Sequence, residues 1–246
     1  SGGKDSCYNA VKAVEHGHEL VCLGNLLPPE TFEGEEMNSF MYQSAAYSAI
    51  PAMAECFEVP LIRRHIAGKA LVQSLDYDND NDHDHGDTDE VEDLYELLLE
   101  VKRQFPNCKG VSCGTIVSTY QRLRVENVCL RPDINMIPLT YLWMANRAQL
   151  LDEITDTYTT TNNNDNNNIS YVKIKAILVK VAGAGLQPYK HLGLTLQLLK
   201  LQLLNLNKKY GLDLCGEGGE YETFVLDCCL FKNKKLFINT SNSNGD

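Results

Sequence analysis

The chain opens on Ser1-Gly2-Gly3-Lys4-Asp5-Ser6 and runs straight into Cys7, Ala10, Val11 and Val14, apolar positions spaced i, i+3, i+4, i+7. That spacing predicts a helix starting beside a glycine turn. Two adjacent glycines let the backbone turn tightly and leave its N–H groups uncovered by any Cβ. A first helical turn adds N–H donors without intrahelical partners and the positive end of the helix dipole. The hydroxyls of Ser1 and Ser6 and the ammonium of Lys4 complete a pocket for an anion, and phosphate is the expected occupant. The plainer reading is a glycine turn in which Asp5 or Ser6 caps the helix. A Walker A loop is excluded, because Gly-Lys is followed here by Asp and the preceding glycine spacing is wrong.

Outward from that loop, Gly17 is expected to stop the first helix, and Glu19–Leu26 reads as a buried strand ending at Pro28-Pro29. Residues 38–57 tend to helix, divided at Pro51. Strands are predicted at Leu61–Ile66, Lys109–Cys113, Met136–Leu139 and Lys175–Val181. Helices are predicted at Val91–Phe105, from near Ser118, and over 145–156. Leu192, Leu196, Leu199, Leu203 and Leu206 mark a helix buried on a broad face and stopped by Gly211, before a β-like segment from Thr223 to Asn239. Strand and helix alternate through the first two-thirds, so the expected class is α/β, a parallel sheet flanked by helices. A nucleotide-binding domain is expected over 1–140, and a smaller α+β lobe for substrate over 141–246.

The 246 residues carry a net charge of −11 with 43% hydrophobic content. The charge is local: residues 76–93 hold ten carboxylates and no Lys or Arg, and the remainder is at −1. A dedicated nucleic-acid binder would carry a basic footprint, so no direct nucleic-acid binding is expected. Residues 76–86 (DYDNDNDHDHG) contain His83 and His85 among aspartates. Without apolar residues they read as a solvated insertion rather than a metal site, and no metal ligands are assigned. The asparagine run at 162–168 reads as a second insertion, a surface loop. Nine cysteines without a C-x-x-C pair are expected to be reduced, which implies the cytoplasm. No apolar run of about 18 residues predicts a membrane span. The chain begins on the loop itself, without Met and without the strand that should feed it, so a truncated sequence is expected.

A second unusual stretch is Cys215-Gly216-Glu217-Gly218-Gly219-Glu220-Tyr221-Glu222-Thr223. Three glycines among three glutamates make a poor helix and a poor strand. They offer exposed backbone donors beside carboxylates able to hold a cation or accept a proton. The plainer reading is a solvated glycine turn.

SGGKDS resembles the PP-loop of the ATP pyrophosphatases, which split ATP between the α and β phosphates. With GDTDEVEDLYELL at 86–98, YQRLRVENVC at 120–129 and GEGGEYETF at 216–224, the chain resembles the diphthine–ammonia ligase family. NLLPPE at 25–30, MYQ at 41–43, PLTYLW at 138–143 and HLGLTL at 191–196 also fit, so the likeness spans nearly the whole chain. It departs at the missing first strand and at Thr88, an extra residue in the acidic motif. The resemblance implies an adenine nucleotide alpha hydrolase-like fold and an ATP-dependent amidation of diphthine on translation elongation factor 2, with ammonium as amine donor and an acyl adenylate as intermediate. It implies that Ser1, Gly2, Gly3 and Ser6 cradle phosphate, that Lys4 offsets the charge of departing pyrophosphate, and that Asp5 positions Lys4 or Mg²⁺. By analogy, Asn25 and Gly114 approach adenine and ribose. Glu217, Gly218, Gly219, Glu220, Tyr221 and Glu222 are assigned to diphthine and ammonium, with Glu217 and Glu220 as catalytic candidates. Tyr120, Arg122 and Arg124 are assigned to the acyl carboxylate or phosphates, against a salt-bridged helix surface. A tRNA-modifying PP-loop enzyme and a non-catalytic nucleotide-binding module are the competing readings.

Overall fold

A computed structural model describes residues 2–34, 41–42, 45–71, 89–161 and 168–238. The first helix, α1 (Lys4–Glu15), is followed by β1 (Leu23–Leu27), a 3₁₀ turn at Tyr47–Ala49, α2 (Ile50–Phe57) and β2 (Leu61–His65). Pro51 sits in the first turn of α2, where its missing N–H costs nothing, so it starts the helix instead of kinking a longer one. Next come α3 (Glu90–Gln104), β3 (Gly110–Ser112), α4 (Thr119–Leu130), β4 (Ile137–Leu139) and α5 (Arg147–Thr155). The last third holds β5 (Thr157–Thr161), β6 (Asn168–Val172), β7 (Ile174–Val181), the short α6 (Pro188–His191), α7 (Leu196–Tyr210) and β8 (Tyr221–Cys228).

The architecture is α/β. Strand β1 runs parallel to β2, and β3 parallel to β4, each pair separated in sequence by helix. Strands β5–β6 and β7–β8 are antiparallel, so strand direction changes in the final third. Helix α3 packs over β1, β2 and α4, burying Val91, Leu98 and Val101 against Leu26, Ile62 and Val128. Helix α1 packs on β3 and also on β7 and β8. Its Tyr8 and Val11 enter the larger core with Ile154, Leu178, Leu199 and Val225. The opening helix therefore bridges the parallel and antiparallel parts.

Three sequence expectations need correction. The closing strand ends at Cys228 rather than Asn239: the Phe231 N–H donates to the Cys228 carbonyl at 2.8 Å, turning the chain, and Phe231 packs edge-on against Phe57. Leu192 lies outside α7, because Gly193 takes φ +77° and Thr195 caps the helix. The leucine face is narrow: Leu196, Leu199 and Leu203 are buried, whereas Leu198 and Leu201 are 72% and 76% exposed. Gly211 does end α7, in the left-handed conformation at φ +71°. Asn168, the last residue of the asparagine run, opens β6 opposite Thr161. Residues 162–167 and the acidic insertion 76–86, including His83 and His85, lie outside the described residues.

Candidate active site

The glycine loop is pinned from two sides. Gly2 takes φ +80°, and a Cβ there would stand 2.6 Å from Ile50 and 2.9 Å from the Phe224 ring. Its carbonyl accepts the N–H of Val225 at 3.0 Å. From the other side comes Gly114, where a Cβ would stand 2.5 Å from the Asp5 carbonyl carbon. Gly114 thus lets the segment after β3 lie against the first turn of α1. The N-cap is Gly3, without a side-chain cap, so neither Asp5 nor Ser6 caps the helix. Ser6 is inside the first turn and donates its hydroxyl to the Gly3 carbonyl at 3.1 Å. Thr223 of β8 takes the capping part instead, its hydroxyl oxygen accepting the Lys4 N–H at 3.0 Å. Ser1 lies outside the described residues.

Lys4 is 3% exposed. Its ammonium meets the Asp5 carboxylate at 2.7 Å, donates to the Cys215 carbonyl, and lies 5.3 Å from the centre of the Tyr221 ring. Burial pulls the ammonium's proton affinity down, but the charge and hydrogen bond of Asp5, joined by Tyr221 and Cys215, together outweigh it and hold the ammonium well above the usual lysine range. The glycine-glutamate turn is therefore folded onto the opening loop, although some 211 residues separate Lys4 from Cys215. Burial raises Asp5 above the usual carboxylate range despite Lys4, and Asp213 adds to the rise. The Asp5 Oδ1 atom is buried without a protein partner.

Glu217 reaches across to the segment after β3, where its Oε2 accepts the Val117 N–H at 3.2 Å. Desolvation, then repulsion from Asp5, pushes its carboxyl up. Glu220 accepts the Asp213 N–H at 2.9 Å through Oε1, while its Oε2 is buried without a protein partner. Gly216 and Gly219, at φ +79° and +78°, make the reversals that keep the turn this tight. Asp5, Asp213, Glu217 and Glu220 thus gather round two cations, Lys4 and Arg147, with Arg147 Nε 3.5 Å from Asp213. Such an excess of negative charge draws a small cation.

Other expected site residues lie elsewhere. Tyr221 is buried, its ring toward Lys4 and its hydroxyl donating to the Leu214 carbonyl at 2.6 Å, so it orients the lysine and has no face left for substrate. Glu222 alternates to the other face of β8 and pairs with Lys180 at 3.2 Å. Asn25 is buried within β1, its side-chain Oδ1 accepting from Arg63 Nε at 3.0 Å. Arg122 pairs with Glu126 at 2.6 Å and lies over the Trp143 ring, which matches the salt-bridged surface alternative. Arg124 is fully buried and stacked on Tyr120, 3.3 Å from the ring centre. Burial raises the Tyr120 phenol, and Glu90 and Asp89 stand near enough to add to it. The 86–98 and 120–129 motifs therefore meet in a polar cluster of their own, next to Tyr42, whose hydroxyl donates to the Glu90 carbonyl at 2.9 Å.

Sequence reasoning missed Thr223 as an anchor, the Cys215 carbonyl, Asp213 and Val117. One of these carried a signal. Asp213 precedes Cys215 by two residues, the spacing at which an Asp side chain accepts a backbone N–H in a turn.

Residues 1–135 match the family model for the diphthamide synthase N-terminal domain, and residues 166–243 match that for the diphthamide synthase C-terminal domain. The chain belongs to the diphthamide synthase family. It is 47% identical over 242 residues to a rat protein named diphthine–ammonia ligase, covering 98% of this chain and 81% of the rat protein. The human protein of that name is 46% identical with the same coverage. The Schizosaccharomyces pombe protein of that name is 45% identical over 234 residues, which cover 95% of this chain but 34% of the yeast protein. In this chain the two matched parts meet at the Lys4–Cys215 contact.

Proposed function

We propose that the chain is a carbon–nitrogen ligase that uses ATP to amidate diphthine on translation elongation factor 2, with ammonium as the amine donor. The observation that carries the reading is the closure of the Glu217–Glu220 turn onto Lys4 and Asp5. A carboxylate resists ammonia because it is anionic and lacks a leaving group. In the proposed sequence its oxygen attacks the α-phosphorus, the bond to the bridging oxygen breaks, and pyrophosphate leaves. Ammonia then bonds to the acyl carbon, AMP departs with the oxygen, and one proton is released.

The residues suit these steps. Lys4, kept charged by Asp5, offsets the negative charge growing on the departing pyrophosphate. Gly2 and Gly3 bring backbone close to phosphate without a Cβ in the way, and the start of α1 adds its dipole. The carboxylates of Asp5, Glu217 and Glu220 attract ammonium and the trimethylammonium of diphthine. Glu217, with its raised proton affinity, would take the proton that ammonium must lose. Mg²⁺ would supply further charge neutralisation at the phosphates, and the unpartnered Oδ1 of Asp5 is the oxygen best suited to hold it. Residues 1–140 are the proposed nucleotide domain and 141–246 the substrate lobe. All nine cysteines carry free thiols, in keeping with a reducing cytoplasm. Among the described residues no helix is long and apolar enough to cross a membrane.

ATP–pyrophosphate exchange with the purified chain tests the reading. Exchange that requires elongation factor carrying diphthine supports it. Exchange driven by tRNA, or none with either, overturns it.

A further inference from the structure

Asp213 touches the glycine-glutamate turn at three places. Its Oδ1 accepts the N–H groups of Cys215 at 2.8 Å and Glu217 at 3.3 Å, and its own N–H donates to Glu220 at 2.9 Å. Its Oδ2 faces Arg147 at 3.5 Å. Arg147 opens α5, donates to the Ala145 carbonyl at 2.9 Å, and receives the Cys215 thiol on its own carbonyl at 3.7 Å. A turn with three glycines has wide backbone freedom when nothing ties it down. Here one carboxylate ties it to a helix, and the tied residue, Cys215, is the one whose carbonyl receives the Lys4 ammonium.

We infer that Asp213 is the positioning residue for adenylate transfer: it fixes the turn so that Cys215 and Asp5 aim the Lys4 ammonium, with Glu217 held beside them. It acts through these groups and touches no substrate. Reacting groups must be held within about 0.5 Å, and a displacement of about 1 Å costs roughly a hundredfold in rate. The kinetic part of this inference rests on the ligase reading above; the geometric part does not.

The test compares Asp213→Ala with Asp213→Asn in the full chain. Asparagine keeps an oxygen for the two N–H groups and loses the charge facing Arg147, whereas alanine loses both. In AMP formation, Asp213→Ala is expected to lower kcat about a hundredfold while KM for ATP moves less than about threefold. Asp213→Asn is expected to stay within about tenfold of the native kcat. Native kcat in the alanine variant, or equal loss in both, overturns the assignment. A second readout needs no turnover: the rate of Lys4 acetylation by acetic anhydride, followed by mass spectrometry. Lys4 should react about tenfold faster in Asp213→Ala than in the native chain, and at a near-native rate in Asp213→Asn. Equal rates in all three overturn it. If the native chain forms no AMP, the ligase reading fails while the labelling still decides Asp213. If the alanine variant does not fold, Asp213→Asn decides: protected Lys4 supports the inference and exposed Lys4 overturns it.

Discussion

Lys4 keeps its charge although it is buried, and Asp5 is the foremost of the groups that offset the burial. Lys4→Met is expected to lower AMP formation by at least about a hundredfold, measured by release of labelled pyrophosphate, because the growing phosphate charge loses its counter-ion. The same variant leaves Asp5 without its cation, so its carboxyl rises further. A carboxyl raised in the fold binds more protons there than in the unfolded chain, so stability falls as pH rises. The melting-temperature deficit of Lys4→Met should therefore be small near about pH 5 and larger near about pH 8. An equal deficit at both would count against the pairing. Glu217 obeys the same sign. Glu217→Gln keeps an acceptor for Val117 and removes repulsion with Asp5, so it should raise the melting temperature of the ligand-free chain, by more as pH rises from about 4 to about 7, while slowing turnover. The anion loop and the acidic turn were legible because glycine beside lysine, and glycine among glutamates, suit neither helix nor strand. The inward turn of Tyr221 was not legible, since the pattern shows that β8 alternates but not which face meets Lys4.

At the scale of elements, the opening loop exists because two other segments leave room for it. Gly114→Ala would place a methyl 2.5 Å from the Asp5 backbone, where no flexible side chain can yield. The expected cost is about 1–3 kcal/mol, read as a fall of about 2–4 °C in melting temperature per kcal/mol, together with weaker ATP binding by calorimetry. Unchanged melting and binding would show that this approach is slack. The interior elements were readable from apolar spacing, with α3 and β7 within two residues of expectation and α4 starting one residue after Ser118. The boundaries that failed have different causes: at β8 the apolar content continues past the turn at which Phe231 leaves to meet Phe57, whereas at α7 a local glycine turn and the Thr195 cap cut Leu192 off.

Across the whole molecule, the described active-site groups come from the first turn of α1, the segment after β3, the start of α5, and the residues that lead into and open β8. On composition alone, deletion of residues 77–85 in the acidic insertion is expected to leave kcat and KM within about twofold of native, since a polar run without apolar residues adds no packed core. A large loss of turnover in steady-state assays would assign that insertion a part in the chemistry. The α/β class could be read from the alternation of elements. The antiparallel closing pair could not, because β8 is joined to its partner β7 through two helices and has no hairpin signature between them.

The Val225 N–H on the Gly2 carbonyl, and the Thr223 hydroxyl on the first turn of α1, fasten the earliest-made part of the described chain to one of the latest. During synthesis the loop would leave the ribosome long before the strand that anchors it. A nascent chain halted before residue 221 would carry the hexapeptide with Gly114 against it but without the β8 anchors on its other side. The capacity to grip a nucleotide should therefore appear abruptly late in translation, and an amino-terminal fragment expressed alone should lack it.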